Sequence, residues 1–268
     1  MLGALIGDIV GSVYEFRPIK TKDFPLFTPG CAYTDDSVMT AAVADALLAP
    51  GGEADLPRRL VSAMRDMAET VPIDPTVGGY GGRFHRWLFT PGMGPYGSWG
   101  NGSAMRVSSV GWLWDTVDQV ERMAGITAAV THDHPEGIKG AQATAVAILL
   151  GRQGETPEAI RQVITARYGY DLSRSVENIR PNYRFDESCQ GTVPEAMTCA
   201  VESVGFVDAV RNAVSLGGDA DTLAAIAGSI AEAIHGIPGD VAAEALTYLH
   251  PRLVDVLNRF RQATAHLR

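Results

Sequence analysis

Two short acidic motifs stand out as residues that could do chemistry. Thr34-Asp35-Asp36 directly precedes an Ala-rich segment, and Asp219-Ala220-Asp221-Thr222 directly follows the turn Gly217-Gly218. Either motif alone reads as a helix start, because Asp and Thr are favoured N-caps and acidic groups suit the positive end of the helix dipole. Capping needs one oxygen, whereas each motif offers two carboxylates and a hydroxyl. If the two helix starts met, four carboxylates would share a small volume, and their repulsion would raise their pKa values unless cations entered. Two divalent ions would balance the four negative charges. Oxygen donors without His or Cys select Mg²⁺, Mn²⁺ or Ca²⁺ over Zn²⁺.

Three further segments carry polar chemistry. The stretch PGMGPYGSWGNGSAMR (91–106) has glycines at 92, 94, 97, 100 and 102 ahead of a helix start. Backbone N–H groups of such a segment can converge on a phosphate, although the pattern is neither a P-loop nor GxGxxG and also suits a flexible connector. Thr131-His132-Asp133-His134-Pro135 holds two histidines without a third ligand at a zinc spacing. A histidine there would bond a ligand or cap a helix. In LGALIGDIVGSVYE (2–15), Asp8, Ser12 and Glu15 form a polar stripe at i, i+4 and i+7, which alone would read as a solvated face.

The elements that must position these residues read as helical. In the first segment Leu2, Leu5, Ile6, Ile9, Val10 and Val13 recur at helical spacing, which predicts a helix running to Glu15. Gly3, Gly7 and Gly11 leave a bare face where another helix backbone could approach closely. Proline and glycine break the chain at 17–33, 71–82 and 90–103. Helices are expected from Asp36 to about 48, at 56–70, around 84–89, and near 104–114, 117–130, 136–151 and 157–168. A long polar and aromatic loop follows at 169–191, then helices near 193–203, 206–215, 221–235, 240–248 and 250–265. Strand signals are sparse, no fixed-period repeat occurs and no linker divides the chain, so residues 1–268 are expected to form one compact all-α domain.

Composition narrows the functional class. The 268 residues are 46% hydrophobic and 20% charged, enough apolar material for a sizeable core. A net charge of −9 disfavours non-specific nucleic-acid binding. Cys31, Cys189 and Cys199 are scattered without a CxxC pair, which suggests a reducing compartment. No apolar run is long enough to span a bilayer and no secretory signal is evident, so a cytoplasmic location is expected.

Taken together, GALIGDIVGSVYEF (3–16), YTDDSVMT (33–40), GNGSAMR (100–106), THDHPEGIKGA (131–141) and SLGGDADTLAAIAGSIAEA (215–233) resemble the ADP-ribosylhydrolases of the dinitrogenase reductase-activating glycohydrolase type. The resemblance implies an all-α fold of the ADP-ribosylglycohydrolase type with a central di-metal cleft holding two Mg²⁺ or Mn²⁺ ions. It implies Thr34, Asp35, Asp36, Asp219, Asp221 and Thr222 as metal ligands. Glu15 would be a mobile glutamate touching the metal site or substrate. Gly100, Asn101, Gly102, Ser103, Met105 and Arg106 would line the diphosphate and ribose path, with His132 on the same ligand and Tyr183 nearer the adenosine end. The Gly-Gly-Tyr-Gly-Gly turn at 78–82 would also face the substrate.

The implied activity is hydrolysis of the glycosidic bond between ADP-ribose and a modified acceptor. Carboxylates flank an oxocarbenium-like centre in most glycosidases. Here the ions would fix the ribose and lower the pKa of a water, while Asp35, Asp36 or Glu15 moves the proton. GDIVGSVYE is similar to members acting on serine-linked or polymeric ADP-ribose, whereas the compact length favours an arginine-linked adduct, for which Asp74 or Glu136 could be an acidic partner. The implied partners are ADP-ribose and an ADP-ribosylated protein or small molecule, and the expected state is a monomer. The rival readings are a Mg²⁺-dependent phosphohydrolase and a catalytically inactive ADP-ribose-binding protein.

Overall fold

In the computed structural model, which describes residues 1–267, the α-helices follow in the order α1 (Leu2–Gly11), α2 (Asp35–Leu48), α3 (Leu56–Thr70), α4 (Gly82–Phe89), α5 (Gly102–Met105), α6 (Val110–Leu113), α7 (Val117–Ala129) and α8 (Pro135–Arg152). The second half continues with α9 (Pro157–Tyr168), α10 (Val176–Ile179), α11 (Cys189–Val201), α12 (Phe206–Leu216), α13 (Ala220–His235), α14 (Gly239–Leu246) and α15 (Pro251–Ala263). Extended pairing among the described residues is limited to an isolated bridge between Gly100 and Ser188.

Helix α13 is the axis of the molecule. It is buried from Ala220 through Glu232 and packs against α1, α8, α11 and α12. Its contact with α1 explains the glycine spacing near the N-terminus. A Cβ added at Gly3 would lie 2.3 Å from Gly228 O, one at Gly7 1.9 Å from Ala224 O, and one at Gly11 2.5 Å from Ala220 O. The pairs step in opposite directions along the two chains, so the helices are antiparallel with their backbones in direct contact. Each glycine costs about 1 kcal/mol of helix propensity relative to alanine, which this close packing offsets. At the far end Glu232 Oε2 accepts from the Met1 amino group at 2.5 Å and from Gly3 N at 2.8 Å, fixing the register.

That register places the end of α1 beside the start of α13. Helix α1 stops at Gly11, with Ser12 as its C-cap, so Glu15 lies beyond it rather than at its end as the apolar periodicity predicts. The physical reason is the junction itself: Gly11 already abuts Ala220 and Asp221 backbone atoms, and the chain turns away there. The single helix expected at 104–114 is two four-residue helices, α5 and α6, interrupted where Arg106, Ser108 and Ser109 are buried. The loop expected at 169–191 contains α10 and the first turn of α11.

Candidate metal centre and cleft

Asp8 organises the first acidic motif. Fully buried in α1, its carboxylate accepts from Thr34 N at 2.9 Å, Thr34 Oγ1 at 2.7 Å, Ser37 N at 3.0 Å and Ser37 Oγ. Thr34 in turn is the N-cap of α2, its hydroxyl accepting from Asp36 N at 3.2 Å. The polar stripe of α1 is therefore buried structure and not a solvated face. Ser12 serves the same end, its hydroxyl accepting from Ala32 N at 3.2 Å. With the Thr34 hydroxyl so engaged, Asp35 and Asp36 are the members of this motif that line the cleft.

The second motif does not behave as a cap. Asp219 stands at the N-cap position of α13 but makes no side-chain capping bond. Its Oδ2 instead accepts from Asn101 Nδ2 at 2.6 Å. The preceding turn needs glycine, since Gly217 and Gly218 have φ of +66° and +99°. Asp221 Oδ1 accepts from Thr222 N at 2.9 Å, and Thr222 Oγ1 donates to Asp36 Oδ2 at 2.9 Å. The two helix starts therefore meet. Glu15 completes the cluster: its carboxylate and those of Asp219 and Asp221 have oxygen atoms all within 4.8 Å of one another. The glutamate rests against Gly78, where a Cβ would lie 2.0 Å from Glu15 Oε2.

Burial and mutual repulsion raise every carboxyl of the group. Desolvation leads in each case, followed for Glu15, Asp35 and Asp36 by the charge of Asp221 and for Asp221 by that of Asp219. Glu15 is pushed up to about 9 and Asp35 to about 8. Asp8 and Asp219 reach only about 6, because hydrogen bonds to their ionised forms oppose burial. Asp36 and Asp221 are pushed well above the ordinary carboxylate range. Clustered carboxylates with no cationic partner at ion-pair distance among the described residues call for positive charge. A further sign is Glu15 Oε2, which is buried without a hydrogen-bond donor among the described residues. The all-oxygen donor set fits hard divalent cations.

These carboxylates floor a cleft of about 300 Å³. Gly100, Asn101, Gly102, Met105, Arg106 and His132 line it, as do Gly79, Gly81 and Gly82 of the glycine turn. Two N–H groups of the glycine-rich segment are already used within the protein: Gly100 N donates to Ser98 Oγ at 3.2 Å and Asn101 N to Glu187 O at 2.7 Å. Arg106 is fully buried, with its guanidinium over the Phe84 ring and its Nε without an acceptor; burial pushes its pKa down to about 10. Burial, and then the charge of Arg106, hold His132 well below its ordinary value, so the imidazole is neutral.

Some expected residues face elsewhere. Ser103 is fully buried and its hydroxyl donates to Gly137 O at 2.7 Å, away from the cleft. Tyr183 lies behind the Gly217-Gly218 turn, its hydroxyl donating to Gly191 O at 3.1 Å. His134 caps α8 by accepting from Glu136 N at 3.1 Å. Asp74 sits in an exposed turn bonded to Thr76, and Glu136 pairs with Lys139; neither lines the cleft. Sequence reasoning missed Arg83, Phe84, Tyr96, Ser98, Phe185 and Glu187, all of which line it. The glycine-rich segment is a signal that could have included Tyr96 and Ser98; the others carry no motif. A larger, mainly apolar cavity of about 860 Å³ between α3 and α7 holds none of the clustered carboxylates, so chemistry and not volume marks the site.

The scaffold is all-α, with a carboxylate cluster facing a glycine-rich wall across one cleft. The ADP-ribosylglycohydrolase family model matches residues 1–267, and the chain belongs to that family. It is 28% identical to ADP-ribosylhydrolase ARH3 of Bos taurus over 88% of this chain and 84% of that protein. It is 27% identical to ADP-ribosylarginine hydrolase Tri1 of Pseudomonas putida over 89% of this chain and 70% of that protein. A solved structure described as an ADP-ribosylglycohydrolase-related protein complex shares the fold, with a TM-score of 0.71 and 23% identity over 98% of this chain and 97% of that one. No described helix is long and apolar enough to cross a membrane.

Proposed function

We propose that the protein hydrolyses the glycosidic bond between ADP-ribose and a modified acceptor, releasing ADP-ribose, with the arginine-linked adduct as the favoured substrate. The observation that carries this reading is the junction of the two helix starts, where Asp35, Asp36, Asp219, Asp221, Thr222 and Glu15 face one cleft in a member of this family. Asp35, Asp36, Asp219, Asp221 and the Thr222 hydroxyl would hold two Mg²⁺ or Mn²⁺ ions, whose charge would offset the carboxylates and polarise oxygens placed against them. Thr34 would contribute through the position it gives Asp36.

The chain's own residues supply the rest. Glu15 and Asp35, both lining the cleft, would be the carboxyls to give or take the proton at the scissile bond; their raised values of about 9 and about 8 describe the metal-free protein, and bound cations would lower them. Asn101 orients Asp219. His132, with the buried Arg106 behind it, suits the anionic and oxygen-rich part of ADP-ribose, and orienting that part secures the position of the reacting carbon. Phe185 and Glu187 give the cleft the aromatic face and carboxylate that an arginine leaving group favours.

The test is product analysis with arginine-linked and serine-linked ADP-ribosyl peptides and with free ADP-ribose, in Mg²⁺ or Mn²⁺. Intact ADP-ribose should appear, fastest from the arginine-linked peptide. AMP or phosphate released from ADP-ribose would favour a phosphohydrolase, and binding without turnover an inactive ADP-ribose-binding protein.

A further inference from the structure

Behind the glycine-rich wall, three neighbouring side chains form a chain with only one satisfied proton arrangement. Arg106 donates from Nη2 to Thr131 Oγ1 at 2.8 Å, and Thr131 Oγ1 lies 2.6 Å from His132 Nδ1. A guanidinium only donates, so the hydroxyl oxygen accepts from it. Thr131 is fully buried, and its one hydroxyl proton has no acceptor but Nδ1 among the described residues. The opposite arrangement, with Nδ1–H donating to Oγ1, would leave that proton buried and unanswered, which is the less favourable state. Backbone bonds from Thr131 N and His132 N to Ala128 O hold both residues in place.

The other ring nitrogen faces the ligand side. His132 Nε2 lies 3.3 Å from where a Cβ on Gly102 would stand and 3.5 Å from the same point on Gly100, and it has no hydrogen-bond partner among the described residues. We propose that Arg106 and Thr131 are positioning residues that lock the His132 imidazole as its neutral Nε2–H tautomer, so that the ring offers a hydrogen-bond donor to a ligand oxygen seated over Gly100 and Gly102. The reverse tautomer would turn a lone pair towards that oxygen and repel it. The cationic neighbour has a second effect in the same direction, since a charge on Arg106 opposes a second charge on the ring. The identity of the ligand rests on the proposed function, whereas the lock belongs to the free protein.

The experiment is a long-range ¹H–¹⁵N correlation of the full-length protein, which distinguishes protonated from unprotonated ring nitrogens. The His132 signals are assigned by their loss in His132→Gln. The wild-type ring should show a protonated Nε2 and an unprotonated Nδ1, and added ADP-ribose should shift the Nε2 signal. Thr131→Val should lose the tautomer preference and bind ADP-ribose roughly tenfold more weakly, the effect of one weakened hydrogen bond. Thr131→Ser, which keeps the hydroxyl, should restore both. A protonated Nδ1 in the wild type would overturn the lock, as would a folded Thr131→Val with wild-type tautomer and affinity. An Nε2–H ring that ignores ADP-ribose would uphold the lock and overturn the reading of the cleft as an ADP-ribose site.

Discussion

Thr222 Oγ1 donates a 2.9 Å hydrogen bond to Asp36 Oδ2, joining two helix starts that lie 186 residues apart in the chain. The bond is short-range proof that two motifs with separate capping explanations share one site. It also sets the sign of what substitutions there should do.

Removing one of several repelling carboxylates should relieve the metal-free fold. Asp221→Asn is expected to raise the melting temperature of the metal-free protein by a few degrees, about 1 kcal/mol at this chain length. It should abolish the further rise that Mg²⁺ or Mn²⁺ gives the wild type, and lower turnover by about 100-fold or more. A lower melting temperature with an intact metal-induced shift would mark Asp221 as a structural residue instead.

The raised carboxyls make stability depend on pH. Unfolded Asp and Glu titrate near pH 4, whereas Asp8 and Asp219 titrate at about 6, Asp35 at about 8 and Glu15 at about 9 in the fold. Between these limits the native state binds more protons than the unfolded chain, so its stability should fall as pH rises from about 4 to about 9. Saturating divalent cation should flatten that slope by taking the place of the protons. Denaturant titrations across the range, with and without Mg²⁺, give the comparison, and a flat metal-free profile would contradict the clustered charge.

Asp8 should respond in the opposite sense from Asp221. Asp8→Ala leaves the donors of Thr34 and Ser37 unanswered in a buried place. A loss of about 3 kcal/mol is expected, together with reduced activity because the start of α2 is no longer held. Urea unfolding of the metal-free variant reads the first, and an unchanged midpoint would rule out the anchoring role.

Gly7→Ala tests the frame. Its new Cβ would fall 1.9 Å from Ala224 O, so α1 and α13 must separate. Destabilisation of about 2 kcal/mol or more is expected, with a fall in metal affinity because Glu15 and Asp221 are carried by the two separated segments. Calorimetric metal titration beside thermal melting shows whether the two losses travel together.

Much of this arrangement is legible in the sequence. The Gly3, Gly7 and Gly11 spacing announces a close helix neighbour, and the excess of carboxylates over capping needs announces a shared site. The role of Asp8 is not legible, because an acid on an apolar helix reads as a solvent-facing residue until the start of α2 is seen to dock on it. Glu15 keeps the helical period in sequence yet lies past the helix, since the crowding that ends α1 comes from α13. Ser103 sits in a ligand-like motif but spends its hydroxyl on Gly137, a partner that only the packing of α5 against α8 supplies. Arg83, Phe185 and Glu187 reach the cleft from segments with no motif at all, because a cleft wall is assembled by tertiary contact.

The most direct measurement is anomalous diffraction from crystals grown with Mn²⁺ and ADP-ribose. Two manganese peaks among Glu15, Asp35, Asp36, Asp219, Asp221 and Thr222, with the ribose over them and the diphosphate along Gly100–Gly102, are the expected result. A nucleotide bound elsewhere, or the same cleft with ADP-ribose present and no manganese peak, would contradict a metal-bearing glycosidic site.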